Sequence, residues 1–348
     1  MSTLVSADET SAGTQEAVVL QGTGGVWQVR TDAGETLEVS LKGRLKREPG
    51  RDARARDMQD RGGGRESMRR SPRSDDTEKP LKLTVGDRVT ITNDGSEASW
   101  AIDAIHARTS QLARRSPGGA RGERIMVANL DQVLVVFASA RPEPHPRMLD
   151  RFLVIAEAND LAARIVINKC DLSDEQSIRA HFADQISAGY PMHLTSVVTG
   201  LGLEALRAQV EGKCSVLTGP SGVGKSSLMN RLFPGLDLRT AEISESVNKG
   251  RHTTVGAVLH PLPGGGFVAD TPGLREVGLW NIAPEDLAEC FPEFRELLGE
   301  CRFQDCLHTV EPGCAIRDAV KAGDVTAGRY ESYLKLREEL VEAAANFW

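Results

Sequence analysis

The chain has 348 residues, 26% of them charged and 40% hydrophobic, with a formal net charge of -7. That length allows two or three domains with separate cores, and the acidic balance excludes a uniformly basic nucleic-acid coat while leaving room for local basic patches. The longest strongly apolar run, Val133 to Ala138, is far too short to span a bilayer, and the polar, acidic start of the chain lacks the pattern of a secretion signal, so a cytoplasmic protein without a membrane partner is expected.

In chain order, short alternating apolar runs come first: Val18–Leu20, Val26–Val29 and Leu37–Leu41, each punctuated by glycine. From Arg44 to Lys79 the pattern stops. That stretch holds twelve Lys/Arg against eight Asp/Glu and almost no apolar residue, so it cannot bury enough surface to offset the entropy of ordering, and a disordered insertion over about 46–80 is expected. Strand signals return at Leu81–Thr92 and Trp100–Ala107. Together these segments predict a small β-barrel of OB type within residues 1–115. A second basic stretch, Arg108 to Arg124, carries five arginines against one glutamate. Arg108, Arg114, Arg115, Arg121 and Arg124 are candidates for tracking nucleic-acid phosphates, with a solvated linker as the alternative.

After Arg124 the rhythm becomes strand and helix in alternation. Strands are predicted at Val133–Ala138, Arg164–Ile167, Met192–Ser196 and Cys214–Thr218, with helices over Arg147–Asn159, Asp174–Ser187, Gly202–Glu211 and Ser226–Leu232. This is a βαβ series, hence a parallel α/β sheet over residues 116–282 with ligands at the strands' carboxyl ends. From about Pro284 the chain reads as mainly helical, ending in a helix over Arg329–Ala345, and 283–348 is expected to be a third domain.

Four constellations carry chemistry. "GPSGVGKSS", Gly219, Pro220, Ser221, Gly222, Val223, Gly224, Lys225, Ser226 and Ser227, follows a strand and opens a helix, the setting of a phosphate loop. Its amides would wrap phosphates at a helix N-terminus, Lys225 would reach the β- and γ-phosphates, and Ser226 would bind Mg²⁺. "NKCD", Asn168 to Asp171, ends the strand Arg164–Ile167. Asp171 can accept from guanine N1–H and N2–H₂, a donor pair adenine lacks, with Asn168 bracing the loop and Lys169 packing over the base. Ser196 and Val197, in "TSVVTG", would meet the base through their backbone. In "VADTPG", Asp270 is placed for the Mg²⁺ shell and Gly273 for the γ-phosphate, and "GRHTT" supplies Thr253 or Thr254 as the switch threonine. GTP binding and hydrolysis follow. Because the guanine motif precedes the phosphate loop, the GTPase domain is circularly permuted.

The residue after Gly273 is Leu274, where many GTPases place a water-orienting glutamine. His252 is then the candidate for that role, with partner contact as the alternative. The last constellation, C-x₄-C-x-H-x₅-C, consists of Cys301, Cys306, His308 and Cys314, a closed set for one structural Zn²⁺. Cys170, Cys214 and Cys290 lack such spacing and read as core residues.

Taken together, these motifs resemble the circularly permuted bacterial ribosome small-subunit-dependent GTPase A family, over about residues 16–340. "ANLDQVLVV", "GPSGVGKSSLMN", "GRHTT", "DTPGLREVGLW" and "CLHTVEPGCAIRDAV" carry the likeness best. The resemblance implies a multidomain fold with a barrel, a permuted GTPase and a zinc domain. It further implies binding to the small ribosomal subunit and its rRNA, a part in late maturation of that subunit, and GTPase activity stimulated by it. It also implies a hydrophobic residue where glutamine is usual, as at Leu274. The insertion at 46–80 departs from the pattern and is either a basic RNA-contacting arm or, the favoured reading, a solvated tether. Two alternatives stay open: a GTP-gated RNA-binding module with incidental hydrolysis, and a GTPase of another RNA pathway. Nothing in the sequence signals oligomerisation, so a monomer is expected.

Overall fold

The computed structural model describes residues 13–23, 25–42, 82–93, 99–115, 123–236, 238, 257–270 and 282–345. The insertion expected at 46–80 lies outside the described residues. The chain divides into two compact units, 1–108 and 109–348.

In the first unit, β1 (Thr14–Thr23), β2 (Val26–Thr31), β3 (Thr36–Leu41), β4 (Arg88–Asn93) and β5 (Trp100–Ile105) close into a barrel in the order β1-β2-β3-β5-β4. All neighbours are antiparallel except β3 and β5, which run parallel. Strand alternation places one side of each strand inside. Ala17, Val19, Val29, Val39, Val89, Ile91 and Ile102 form that interior, each at most 2% exposed. This is the OB-type barrel expected from the sequence.

The second unit opens with a feature not read from the sequence. Gln111–Arg115 (β6) and Glu123–Ala128 (β7) pair as an antiparallel two-stranded ribbon where a basic linker was the alternative. A six-stranded sheet follows, ordered β10-β9-β8-β11-β13-β12. Its strands are β8 (Gln132–Ala138), β9 (Ala162–Asn168), β10 (Met192–Leu194), β11 (Cys214–Thr218), β12 (Val258–Pro261) and β13 (Phe267–Asp270). All are parallel except β12, an edge strand antiparallel to β13.

Every residue of β8 is buried, as a central strand covered on both faces requires. Helix α1 (Pro146–Glu157) covers one face, with Phe152 edge-on to Phe137 at 6.2 Å. On the other, Leu134, Val136 and Ala138 pack with Leu206 and Val210 of α4 (Leu203–Val210) and Leu228, Met229 and Leu232 of α5 (Lys225–Leu232).

The helix expected over 174–187 is broken into α2 (Glu175–His181) and α3 (Ala183–Ser187) at Phe182, whose backbone leaves helical values (φ -110°, ψ 22°) and whose side chain is buried. The segment "PEDLAECFPEFRELLG" does not form a continuous α-helix. It forms two 3₁₀ segments, Leu287–Cys290 and Pro292–Leu297, because Pro292 has no N–H to donate and disfavours a helical Phe291. Helices α6 (Ala315–Ala322) and α7 (Ala327–Ala345) complete the chain.

A buried ionic cluster ties this last segment to α1. Arg329 of α7 donates to Asp150 of α1 (2.6 Å) and to both carboxylate oxygens of Glu293 (2.6 and 3.2 Å), with its guanidinium 4.6 Å from the Phe291 ring centroid. Asp150 also accepts from Ser332 Oγ at 2.5 Å and Gln185 Nε2 at 2.8 Å. Burial disfavours the charge on Arg329, but its bonds to Glu293 and Asp150 outweigh that and raise its pKa.

Candidate functional site

The carboxyl ends of β8, β9, β11 and β13 all lie at one end of the sheet, and three of the four constellations sit there. Strand β9 ends at Asn168, which is 2% exposed. Its Nδ2 donates to the Val223 carbonyl at 2.9 Å, while its Oδ1 is buried without a hydrogen-bond partner among the described residues. Lys169 takes a left-handed backbone (φ 61°), and its Nζ donates to the carbonyls of Gly222 (2.7 Å) and Arg141 (2.5 Å). The guanine loop is therefore bolted to the phosphate loop through two side chains.

Asp171 is exposed, and one of its oxygens accepts from Ser196 Oγ at 2.5 Å. Ser196 is fully buried, and beyond the backbone role expected from the sequence its hydroxyl aims the Asp171 carboxylate. The two loops are also joined by Cys170 N–H to Thr195 O at 3.1 Å, and the half-buried Val197 packs on the core.

The phosphate loop needs glycine at two points. A Cβ on Gly219 (φ 130°) would stand 2.0 Å from Val136 O, and one on Gly224 (φ 94°) 2.6 Å from Asn168 Nδ2. Pro220 and Ser221 follow Gly219, and Val223 is buried in the core, anchoring the loop's middle. Lys225 Nζ donates to the carbonyls of Gly219 (2.7 Å) and Pro220 (2.6 Å), back onto the start of the loop. Ser226 and Ser227 stand in the first turn of α5, and Asp270 is exposed at the end of β13, beside β11. His252, Thr253, Thr254, Gly273 and Leu274 lie outside the described residues.

The loop between β8 and α1, residues 139–145, is the part of this end that sequence reading missed. Ser139 donates its N–H to Asn168 O (2.8 Å) and its Oγ to Lys169 O (2.6 Å). The only signal was its place, a short proline-containing turn after the most apolar strand.

In the C-terminal segment, Cys301, Cys306, His308 and Cys314 bring their ligand atoms within 4.8 Å of one another and could hold one metal ion. Cys301 Sγ and Cys314 Sγ are 3.9 Å apart, and each lies 3.5 Å from His308 Nδ1. The Ala315 N–H points at Cys301 Sγ (3.3 Å). Tyr330 and Tyr333 of α7 donate to the carbonyls of His308 (2.7 Å) and Leu307 (2.8 Å), holding the loop from below. Glu311 braces it from within. Partial burial opposes its ionisation, but the N–H groups of Thr309, Leu307 and Val310 outweigh this and hold its pKa down at about 2. Cys170 and Cys290 are buried, and burial pushes the thiols of Cys214 and Cys290 up to about 12, which suits core residues.

One expectation is overturned. Arg108 does not face phosphates: its side chain is 6% exposed and bidentate on the fully buried Asp87 (2.7 and 3.0 Å), with a third bond to Lys82 O. It closes the barrel where the chain leaves it. Arg121 and the side chains of Arg114, Arg115 and Arg124 lie outside what is described.

Comparison with known proteins places these features together. The RsgA GTPase family model matches residues 105–280. The small ribosomal subunit biogenesis GTPase RsgA of Gemmatimonas aurantiaca is 65% identical over 325 residues, covering 93% of this chain and 97% of that protein. The protein of that name from Thermotoga maritima is 42% identical over 263 residues, 75% of this chain and 85% of its own. Among solved structures, YjeQ from Thermotoga maritima superposes with a TM-score of 0.72 at 34% identity, covering 94% of this chain and 99% of that one. YloQ, described as a circularly permuted GTPase, gives 0.70 at 25%, covering 97% and 99%.

Proposed function

The chain belongs to the RsgA GTPase family, and from that premise we propose that it hydrolyses GTP to GDP and phosphate as a biogenesis factor of the small ribosomal subunit. One observation carries the reading: the guanine loop and the phosphate loop are locked together by Asn168 and Lys169 at one end of the sheet. GTP placed there would meet Asp171 at the guanine edge and the amides of 219–227 at its phosphates. The unpartnered Asn168 Oδ1 fits a site completed by a ligand's polar edge.

In this reading Ser196 orients Asp171 while Val197 and the Ser196 backbone border the base. Lys225 exchanges its two loop carbonyls for phosphate oxygens. Ser226 and Asp270 would hold Mg²⁺, which supplies charge neutralisation at the β- and γ-phosphates. The Gly273 amide would bond the γ-phosphate, Thr253 or Thr254 would close onto Mg²⁺, and His252 would position the attacking water. Leu274, which cannot orient water, keeps a second reading open, in which GTP gates binding and hydrolysis is incidental.

The ion at the cysteine cluster is Zn²⁺ in our reading. Bonds of about 2.3 Å to sulfur and about 2.1 Å to nitrogen in a tetrahedron put two sulfurs roughly 3.8 Å apart and sulfur from nitrogen roughly 3.6 Å. The cluster's 3.9 and 3.5 Å separations match those values. With four protein ligands the site is structural. We take the barrel, with its boundary drawn back from 115 to 108 so that β6 stays with β7, then 109–282 and 283–348, as the working domains of a cytoplasmic monomer that contacts rRNA. Co-sedimentation with purified small subunits is expected with a non-hydrolysable GTP analogue and not with GDP. Equal recovery in both states, or none, would reject the assignment.

A further inference from the structure

We propose that Arg141 is a further nucleotide-contacting residue, its guanidinium binding phosphate oxygens of GTP from the loop between β8 and α1; this rests on the GTPase reading above. Four observations converge on it. First, the loop starts sewn to the guanine motif through both donors of Ser139. Second, a single nitrogen, Lys169 Nζ, bridges the Arg141 carbonyl and the Gly222 carbonyl, so those oxygens are no farther apart than the two bonds laid end to end. Third, the next residue, Pro142, has its Cδ 3.9 Å from where a Cβ on Gly222 would stand, in contact with the middle of the phosphate loop. Fourth, Arg141 holds a left-handed backbone (φ 51°), a conformation costly for a residue with a side chain and natural for glycine.

The side chain itself is exposed and has no hydrogen bond or ion pair among the described residues; only its carbonyl is engaged. The two lysines at this end differ from it, since the ammonium groups of Lys169 and Lys225 both bond loop carbonyls. An arginine anchored by its backbone at the rim of a phosphate loop, with an unpaired planar cation, suits bidentate contact to phosphate oxygens. Glu143, exposed on the same loop, is the nearest opposing charge in sequence.

The test uses the full chain with Mg²⁺ and titrates GTP, GDP and GMP by calorimetry into wild type, Arg141→Gln, Arg141→Lys and Arg141→Gly. Arg141→Gln is expected to raise the Kd for GTP about tenfold and to affect GMP much less, with Arg141→Lys recovering part of the loss. Arg141→Gly, which frees the backbone yet removes the cation, should bind like Arg141→Gln, and none of the variants should melt earlier without nucleotide. Wild-type GTP affinity in Arg141→Gln overturns the proposal, as does an equal loss for GMP, which would trace the effect to loop geometry. Normal GTP affinity with lost co-sedimentation also overturns it, assigning the cation to RNA phosphates. Failure of wild type to bind GTP would sink the GTPase reading instead, so the two failures are distinct.

Discussion

Arg329→Met tests whether the metal-binding segment and the nucleotide sheet are held together by charge. The substitution keeps a long apolar stem but removes the cation bonded to Asp150 and Glu293. Asp150, 1% exposed, would be left with two neutral donors, Ser332 and Gln185, and Glu293 with no cation. Removing one partner of a buried pair costs about 3–5 kcal/mol because the other charge stays desolvated. In a unit of the length of 109–348, each kcal/mol lowers the melting midpoint by about 2–4 °C, so a fall of roughly 6–20 °C is expected. Calorimetric and urea melts of wild type, Arg329→Met, Asp150→Asn and the double variant measure it. The two single losses should not add, since the double variant no longer buries the Asp150 charge. A loss below about 1 kcal/mol would refute the reasoning, for it would mean that the cluster does no more than a surface ion pair.

Ser196→Ala should weaken GTP and GDP binding alike, by about tenfold or more, because the Asp171 carboxylate loses a charge-assisted bond; discrimination against ATP, measured by competition, should fall with it. Arg108→Met should destabilise the barrel by about 3–5 kcal/mol through the stranded Asp87, while GTP affinity stays unchanged, as read by urea unfolding and calorimetry. Native mass spectrometry should find one Zn²⁺ per chain, lost in Cys306→Ser, with a lower melting midpoint after chelation.

What could be read from the sequence follows from what each feature depends on. Strand β8 announces itself because a strand covered on both faces has to be apolar throughout, and the phosphate loop because its glycines answer local sterics at Gly219 and Gly224. The barrel showed through period-2 alternation at Val29, Val39 and Ile91. Features that depend on partners distant in sequence did not show. Arg108 looked like one more surface arginine because its partner, Asp87, lies 21 residues earlier. Ser196 looked like a backbone contributor because Asp171 is 25 residues away. The ribbon of β6 and β7 was hidden by its polar, arginine-rich composition, and the break before Pro292 was overlooked in a segment that is otherwise rich in helix formers.

The central claim, that this chain is a GTPase acting on the small ribosomal subunit, is tested most directly by steady-state GTP turnover of the full chain with and without purified small subunits. The account predicts slow turnover alone and a large stimulation by small subunits, with none from large subunits. Turnover that small subunits leave unchanged would contradict it.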